Sequence, residues 1–132
     1  MKQTSSAANV LGIRYPIVQG PFGGGLSTSK LAALVSNAGG LGSYGAHLLE
    51  PAQLEALVRE LGSLTAAPFA VNLWVSDHDP GGLDTSEASF ERVLSLFRPY
   101  LREFGLEDPA PPERYQPNFE QQVEALLEAR PP

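Results

Sequence analysis

The stretch YPIVQGPFGGG, residues 15–25, decides the fold class of this chain. A short apolar run, Ile17 and Val18, is followed by residues 20–25, a turn with four glycines and one proline that we call the mouth loop. An amphipathic segment comes directly after it. The order of buried strand, glycine-rich turn and helix is the opening unit of an α/β fold. Because α/β folds bind ligands at the carboxyl ends of their strands, we expect the mouth loop to border a ligand site.

Two segments after the mouth loop have the i, i+3, i+4, i+7 spacing of amphipathic helices. Ser27 or Thr28 can cap the first helix, and Gly39 can end it. The second helix has Pro51 in its first turn and is expected to end at Gly62. The predicted apolar faces are Leu31, Leu34, Val35 and Ala38 in the first helix, and Leu54, Leu57, Val58 and Leu61 in the second.

Three short apolar runs predict parallel strands at residues 16–19, 41–46 and 68–75. The β-branched pair Ile17 and Val18 suits a strand that is buried on both faces. Strands and helices alternate over residues 16–75, and right-handed crossovers between such strands produce a parallel sheet. A sheet of this size has an open apolar edge, so we expect the chain to be part of a larger barrel or sheet, or to be completed by a partner.

The alternation of strands and helices stops after Val75. A polar loop comes next, and Asp84 with Glu87 has the spacing of a capping box. We expect Pro99 to end or kink the helix that follows. Beyond a proline-rich linker, Asn118 caps a last helix. The predicted apolar faces are Phe90, Val93, Leu94 and Phe97 in the first of these helices, and Val123, Leu126 and Leu127 in the last.

The composition excludes several classes of protein. The 132 residues are 42% apolar, which is enough for one modest domain with a core. The absence of cysteine excludes disulfides and thiolate metal sites and predicts a reducing, cytoplasmic compartment. We find no run of about 18 apolar residues and no signal peptide, so we predict no membrane span. A net charge of -6 without a basic stripe argues against a nucleic-acid partner.

One glycine motif is misleading. The sequence GLGSYG at residues 40–45 matches the G-x-G-x-x-G dinucleotide fingerprint letter for letter. That fingerprint has to follow a strand and open a helix. Here the motif follows the first predicted helix and overlaps the second predicted strand. We therefore interpret it as a helix end followed by a strand of small residues.

Residues 19–25, which are Gln19 and the mouth loop, and Asn72 are the main site candidates. Glycines let the backbone approach a flat or anionic ligand and leave N–H groups free to donate, and Phe22 offers an apolar surface. From the residues alone, a ligand site and an ordinary β-α turn are about equally supported. Asn72 is an amide within an apolar strand, so it bonds neighbouring backbone or the polar edge of a ligand. We favour the ligand because polar groups at such strand ends are commonly site residues.

Four other features carry weaker signals. His47 and His78 follow strands but have no metal-ligand spacing, so we interpret both as solvated loop residues and predict no metal site. Trp74 is interpreted as a core residue rather than a stacking surface. We identify no catalytic residue. A solvated helix face is predicted from acids that recur every four residues, namely Glu120, Glu124 and Glu128.

Three stretches together resemble the nitronate monooxygenase family, formerly called 2-nitropropane dioxygenases. They are YPIVQGPFGG at residues 15–24, LAALVSNAGGLGS at residues 31–43 and PFAVNL at residues 68–73. The resemblance implies an α/β fold, a partial TIM (β/α)8 barrel with about three parallel strands, flanking helices and a helical excursion after the third strand. Residues 1–132 would be the N-terminal portion of a single FMN-dependent barrel domain, with β/α units at 16–75 and the excursion and last helix at 84–130.

The resemblance also implies a chemistry, the oxidation of alkyl nitronates with O2 to carbonyl compounds and nitrite. By position, the FMN site would include Gly20, Pro21, Phe22 and Gly23 against the flavin ring, and Asn72 at its polar edge. The family usually has Ala-Pro-Met-Ala at residues 20–23, and its chain is more than twice as long. Its phosphate site and catalytic histidine lie in later strands. We therefore expect this chain alone to be inactive and to bind FMN weakly.

Two alternatives stay open. An FMN-dependent enoyl-acyl-carrier-protein reductase-like barrel resembles this chain at residues 19–20 and 36–42, although the excursion after Val75 favours the monooxygenase. A non-enzymatic half-barrel would associate with itself as a homo-oligomer or with a complementing C-terminal segment. The expected partners are a small-molecule nitronate and O2, with no nucleic acid and no membrane.

Overall fold

The computed structural model describes residues 7–75 and 84–131. His78 and most of the predicted polar loop lie outside the described residues. The chain divides into two units, Met1–Val75 with Pro117–Pro132 and Ser76–Gln116. Within the described residues the elements in chain order are α1 (Ala7–Leu11), α2 (Ser29–Asn37), β1 (Gly42–Gly45), α3 (Pro51–Leu64), β2 (Phe69–Asn72), α4 (Glu87–Glu103) and α5 (Phe119–Ala129).

The sheet of the first unit is parallel, as predicted. β1 pairs with β2 in a register that places Gly42 opposite Phe69 and Gly45 opposite Asn72. The motif at residues 40–45 is thus largely strand β1, which confirms that it is not a dinucleotide fingerprint.

The prediction of a buried strand at residues 16–19 is wrong in this chain. Only a single parallel bridge, Val18 to Leu41, joins this segment to β1. Around the bridge, the Leu41 N–H donates to the Ile17 carbonyl and the Gln19 N–H donates to the Leu41 carbonyl, each at 2.9 Å. Ile17 is 61% exposed and Val18 is 56% exposed. The segment pairs along one edge, and no described residue buries these two side chains, so the sheet has two strands and a bridge instead of three strands.

The ends of helix α2 confirm the predicted caps. The Thr28 hydroxyl accepts from the Leu31 N–H at 3.1 Å. At the other end, Gly39 has a φ of 97° and the Gly40 N–H donates to the Val35 carbonyl at 3.1 Å. This is the hydrogen bond of a Schellman motif, for which glycine is the usual residue.

The buried face of α2 differs from the predicted one. Ala32, Ala33 and Ser36 are buried, whereas Leu34 is exposed. A Cβ built on Gly42 would overlap the carbonyl of Ala32, so the helix backbone lies directly on β1. Only small side chains fit between two backbones at such a distance, and the leucines therefore point elsewhere.

Helix α3 supplies most of the core. It starts at Pro51, and the Gln53 side chain accepts from the Glu50 N–H at 2.8 Å, as in a capping box. The helix does not end at Gly62 as predicted, because the Thr65 N–H still donates to the Leu61 carbonyl at 3.0 Å. The predicted face is confirmed and joins a buried cluster of Ala32, Ala46, Leu54, Leu57, Val58, Leu61 and Phe69.

Helix α5 packs against α3 in the same unit. The predicted cap is confirmed, since the Asn118 side chain accepts from the Gln121 N–H at 2.9 Å. The predicted apolar side is only partly correct. Gln122 and Ala125 are the buried residues, Leu126 packs against the core, and Leu127 is exposed. The predicted acidic face, Glu120, Glu124 and Glu128, is exposed.

The second unit contains α4. Its N-cap is Ser86 rather than Asp84, because the Ser86 hydroxyl accepts from the Ser89 N–H at 3.3 Å. Asp84 instead accepts from the Ser86 N–H at 3.0 Å, as in an Asx-turn. The helix continues through Pro99 to Glu103, so the proline does not end it. Arg98 pairs with Glu91 and, at 2.7 Å, with Asp108.

Candidate functional site

The two strands present different residues on their two faces. Tyr44, Ala46, Phe69, Val71 and Leu73 belong to the core on the helix side or pack against it. Successive side chains of a strand alternate between faces. The opposite surface, which we call the inner face, therefore carries Ser43, Gly45 and His47 from β1 and its extension, and Ala70, Asn72 and Trp74 from β2 and its extension.

The mouth loop lies against Gly45. A Cβ built on Gly45 would come within 2.7 Å of the Pro21 carbonyl oxygen and 3.0 Å of the Gly23 nitrogen. Gly45 is also the register partner of Asn72. Asn72 is opposite Gly45 on the neighbouring strand, one strand spacing of ~4.8 Å away, so the predicted candidates, Gly20 to Gly23 and Asn72, lie at the same carboxyl end of the parallel strands. Their role in binding stays a prediction.

Ser27 and Gln19 determine the shape of the mouth loop. Gln19 is the first residue of the candidate stretch 19–25 but was predicted no role of its own, and Ser27 was not among the predicted site residues. The Ser27 hydroxyl, in a residue only 2% exposed, accepts from the Phe22 N–H at 2.8 Å. It donates to the Gly20 carbonyl at 3.2 Å and accepts from the Gln19 amide at 3.1 Å. The available sequence signals were a polar residue at the end of an apolar run and a serine beside the helix cap, but their partners depend on tertiary contacts.

Gln19 also ties the loop to β1. Its Nε2 donates to the Ser43 carbonyl at 3.0 Å, and its Oε1 accepts from the Ser43 N–H at 3.3 Å. The Gln19 side-chain amide thus replaces the next pair of backbone hydrogen bonds that a strand would form after the Val18–Leu41 bridge. The main chain is released at this point and can turn into the mouth loop without leaving the Ser43 backbone unpaired.

The far part of the mouth loop requires glycine. Gly24 and Gly25 have φ values of 65° and 82°, in the left-handed region that side chains disfavour. Among the described residues, the N–H groups of Gly23, Gly24 and Gly25 have no hydrogen-bond acceptor. Successive unpaired N–H groups in such a turn are donors suited to an electron-rich ligand.

Phe22 and Asn72 present side chains without strong internal partners. Phe22 is 65% exposed, and its ring lies beside Gly20, where a built Cβ would be 3.1 Å from the ring. The Asn72 carbonyl accepts from the Ala46 N–H at 2.9 Å. Within the described residues the Asn72 side-chain amide makes no hydrogen bond, so its donor and acceptor are both available to a ligand.

His47 and Trp74 contradict their predicted roles. The two rings are stacked, with centroids 3.8 Å apart and an interplanar angle of 9°. His47 is half-buried rather than solvated, and a Cβ on Gly23 would come within 2.5 Å of its Cε1. Its Nδ1 is buried without a hydrogen-bond partner in the described part of the chain. Trp74 is 55% exposed, so it is not a core residue.

Two further observations concern the described residues as a set. Residues 7–75 and 84–131 contain no group of three histidine or carboxylate side chains arranged to hold a metal ion. None of the helices in these ranges is both long and apolar enough to span a bilayer.

Comparison with known proteins gives a consistent result. The protein-family model described as nitronate monooxygenase matches residues 4–130. The probable nitronate monooxygenase of Staphylococcus saprophyticus is 33% identical over 128 residues, which are 97% of this chain and 35% of that protein. The nitronate monooxygenase of Pseudomonas aeruginosa is 44% identical over 107 residues, which are 80% of this chain and 29% of that protein.

Solved structures show the same fold. Nitroalkane oxidase from Streptomyces ansochromogenes matches with a TM-score of 0.71 and 27% identity over 96% of this chain and 34% of that chain. FabK from Thermotoga maritima matches with a TM-score of 0.50 and 29% identity over 76% of this chain and 34% of that chain. The described residues thus form part of an α/β TIM barrel, as predicted. The chain spans about a third of the length of the curated relatives it matches.

Proposed function

Since the chain belongs to the nitronate monooxygenase family, we propose that it supplies one wall of an FMN site at which alkyl nitronates are oxidised with O2. Residues 1–132 would contribute the β/α units at 16–75, and the excursion and last helix at 84–130, to a single barrel domain. The observation that carries the proposal is the close approach of the mouth loop to Gly45, the residue opposite Asn72, at the carboxyl end of the strands. This is the end at which TIM barrels bind their ligands.

The residues at this end suit a flat ring with a polar edge. Gly45 has no side chain, so the mouth loop and the sheet lie close together without an obstructing group. Gly20, Pro21, Phe22 and Gly23 would lie against one face of the flavin. The Asn72 amide, which can donate and accept, complements a ring edge with both N–H and carbonyl groups.

FMN, when bound, supplies the acceptor for electrons from the nitronate, and reaction with O2 then yields a carbonyl compound and nitrite. The residues of this chain bind and orient the reactants. Asn72 sets the orientation of the ring, and Phe22 excludes water from its face. The network of Gln19 and Ser27 keeps the mouth loop in place beforehand, which lowers the entropic cost of binding. No residue of this chain is assigned a catalytic role.

We propose that tight FMN binding needs the remainder of a barrel. The chain spans about a third of its relatives, and Ile17 and Val18 are exposed where a complete barrel would bury them. The first test compares this chain alone with a fusion in which it replaces the matching segment of the Pseudomonas aeruginosa relative. Bound flavin is measured by absorbance, and activity is measured as nitrite released from an alkyl nitronate.

We expect the fusion to retain FMN and release nitrite, and the chain alone to do neither. In the fusion, Asn72→Ala should lose flavin, whereas Asn118→Ser, which preserves a helix cap, should not. A fusion that folds without flavin contradicts the proposed function. Stoichiometric flavin and nitrite release from the chain alone contradict the need for further barrel segments.

The similarity to FabK supports an enoyl-acyl-carrier-protein reductase-like barrel as the second candidate. Assay of the fusion with an enoyl thioester and with a nitronate decides between the two reactions. Self-association, or association with a complementing C-terminal segment, is proposed from the same exposed apolar residues and is tested by sedimentation. A cytoplasmic location stays a prediction from the absence of cysteine.

A further inference from the structure

The stacked rings of His47 and Trp74 continue the strand register beyond its last paired row. Gly45 is opposite Asn72, and each ring residue lies two positions further along its own segment. The centroid distance of 3.8 Å and the angle of 9° show that the register persists here through side chains rather than through the backbone. The pair therefore forms the outermost row of the inner face.

The rows beneath the rings are small or polar. Ser43 is opposite Ala70, and Gly45 is opposite Asn72. Ser43 is buried and paired with Gln19, and Gly45 is covered by the mouth loop, so the open part of the inner face is on the β2 side, with Ala70, then the Asn72 amide, then the Trp74 ring. A small side chain and an amide beside an exposed aromatic ring suit a planar guest, because a flat ring can stack on the indole.

His47 is held from two directions. The Gln122 amide donates to the His47 carbonyl at 3.2 Å and to the Leu49 carbonyl at 2.7 Å, which anchors the turn after β1 to helix α5. On the other side, the imidazole edge lies against Gly23 of the mouth loop. The imidazole covers one face of the Trp74 indole, yet Trp74 is still 55% exposed.

We propose that the uncovered face of the Trp74 indole is a stacking surface for a planar conjugated ring at the mouth, and that His47 is the residue that positions it. The identity of the ring rests on the proposed function. It would be the isoalloxazine of the flavin or, from the same chemistry, the planar group of an aromatic nitronate. His47 acts through Trp74 and does not itself touch the ring.

The intrinsic fluorescence of Trp74 provides the test, because it is the only tryptophan of the chain. This chain is titrated with lumiflavin, which has the ring without the phosphate, and separately with an aromatic nitronate. N-acetyltryptophanamide corrects for light absorption by the probes. We expect saturable quenching by at least one probe. Quenching by lumiflavin assigns the surface to the flavin, and quenching by the nitronate alone assigns it to the substrate.

A matched pair of variants separates positioning from simple folding. His47→Phe keeps a flat ring against the indole and should leave the dissociation constant unchanged within about twofold. His47→Ala removes the ring and should raise the constant about three- to tenfold, the range expected for one aromatic contact. If His47→Ala does not fold, the variants Trp74→Leu and Trp74→Phe are compared instead. Their dissociation constants for lumiflavin are measured by flavin fluorescence anisotropy.

Absence of quenching up to the solubility limit of both probes overturns the proposal, and so do equal constants for His47→Phe and His47→Ala. The proposed function fails separately, when the folded fusion of the previous section retains no FMN. If the fusion retains flavin but neither probe quenches Trp74 in this chain, only the proposed stacking surface is contradicted.

Discussion

The side-chain amide of Gln19 pairs with the backbone of Ser43 as a strand residue would, donating to its carbonyl at 3.0 Å and accepting from its N–H at 3.3 Å. Ser43 is only 3% exposed, so water has little access to these two backbone groups. The chain can therefore leave the sheet at Gly20 without leaving buried polar groups unpaired. The mouth loop can adopt this conformation because the Gln19 side chain completes the hydrogen-bond ladder along β1.

Replacement of Gln19 tests this relationship. Gln19→Leu leaves the Ser43 N–H and carbonyl buried without partners, and we expect a loss of about 1–3 kcal/mol in the free energy of unfolding. Urea denaturation measures it. The matched control is Gln121→Leu, because Gln121 is exposed and should change stability by less than about 0.5 kcal/mol. Equal effects of the two substitutions would show that the Gln19 pairing contributes nothing.

Ser27→Ala should loosen the mouth loop. The Phe22 N–H then keeps only its bond to the Gly20 carbonyl at 3.0 Å, which closes a three-residue turn around Pro21. We expect faster hydrogen exchange at the Phe22 amide and a loss of about 1–3 kcal/mol in stability. Ser63→Ala is the control, since this exposed hydroxyl only donates to the Glu60 carbonyl within its own helix. Unchanged protection of the Phe22 amide in the Ser27 variant would contradict the role of its hydroxyl.

Alanine at two glycines should change stability in opposite directions. At Gly45 the new Cβ would be 2.7 Å from the Pro21 carbonyl oxygen, so the mouth loop must move and we expect a loss of about 1–3 kcal/mol. At Gly62 nothing lies within 4 Å of the new Cβ, and the position is inside α3. Gly62→Ala should therefore stabilise by about 0.5–1 kcal/mol, because alanine is the better helix former. Urea midpoints that shift in the same direction would refute the predicted contrast.

Gln122 should be required for the docking of α5. Its buried amide donates to the carbonyls of His47 and Leu49, which precede it by more than seventy residues. Gln122→Ala leaves these carbonyls without that donor, and we expect a loss of about 1–3 kcal/mol in urea denaturation. Its neighbour Gln121→Ala should have little effect because that side chain is exposed. A Gln122→Ala variant as stable as Gln121→Ala would mean that α5 is held by apolar contacts alone.

Asp84 should titrate at an unusually low pH. Hydrogen bonds from the side chain and the backbone N–H of Ser86 lower the pKa of this carboxyl below its ordinary value of 3.8. Because folding lowers the pKa, the ionised Asp84 carboxylate stabilises the folded state above about pH 4. This contribution is lost as the pH falls through the lower folded-state pKa. Carbon NMR of the carboxyl measures the pKa directly. A carboxyl that titrates at or above 3.8 contradicts the prediction, and Asp84→Asn should abolish this part of the pH dependence.

Local features of the fold could be predicted from the sequence. Thr28, Gly39, Pro51 and Asn118 occupy the helix-end positions expected of them, because caps depend on residues only a few positions apart. The convergence of the mouth loop and Asn72 was also predictable. Parallel strands place their carboxyl ends at one edge of a sheet, so loops that follow them must be neighbours.

The buried faces were harder to predict. Spacing assigned Leu31 and Leu34 to the buried side of α2, but the helix presents Ala32 and Ala33 to β1 because Gly42 allows the two backbones to approach closely. Periodicity locates a helix but does not measure the distance to its neighbour. Likewise, Ile17 and Val18 have the composition of a buried strand, whereas burial depends on which other segments cover them.

The sequence by itself determined the order of α2, β1, α3, β2, α4 and α5, the family and the position of the mouth loop, since each of these depends on patterns of near neighbours along the chain. Only the tertiary structure decided that Gln19 completes the ladder at Ser43 and that His47 stacks on Trp74. Both pairs join residues more than twenty positions apart. Such contacts form only after the strand register and the helix distances are set, and no local preference of either residue encodes its partner.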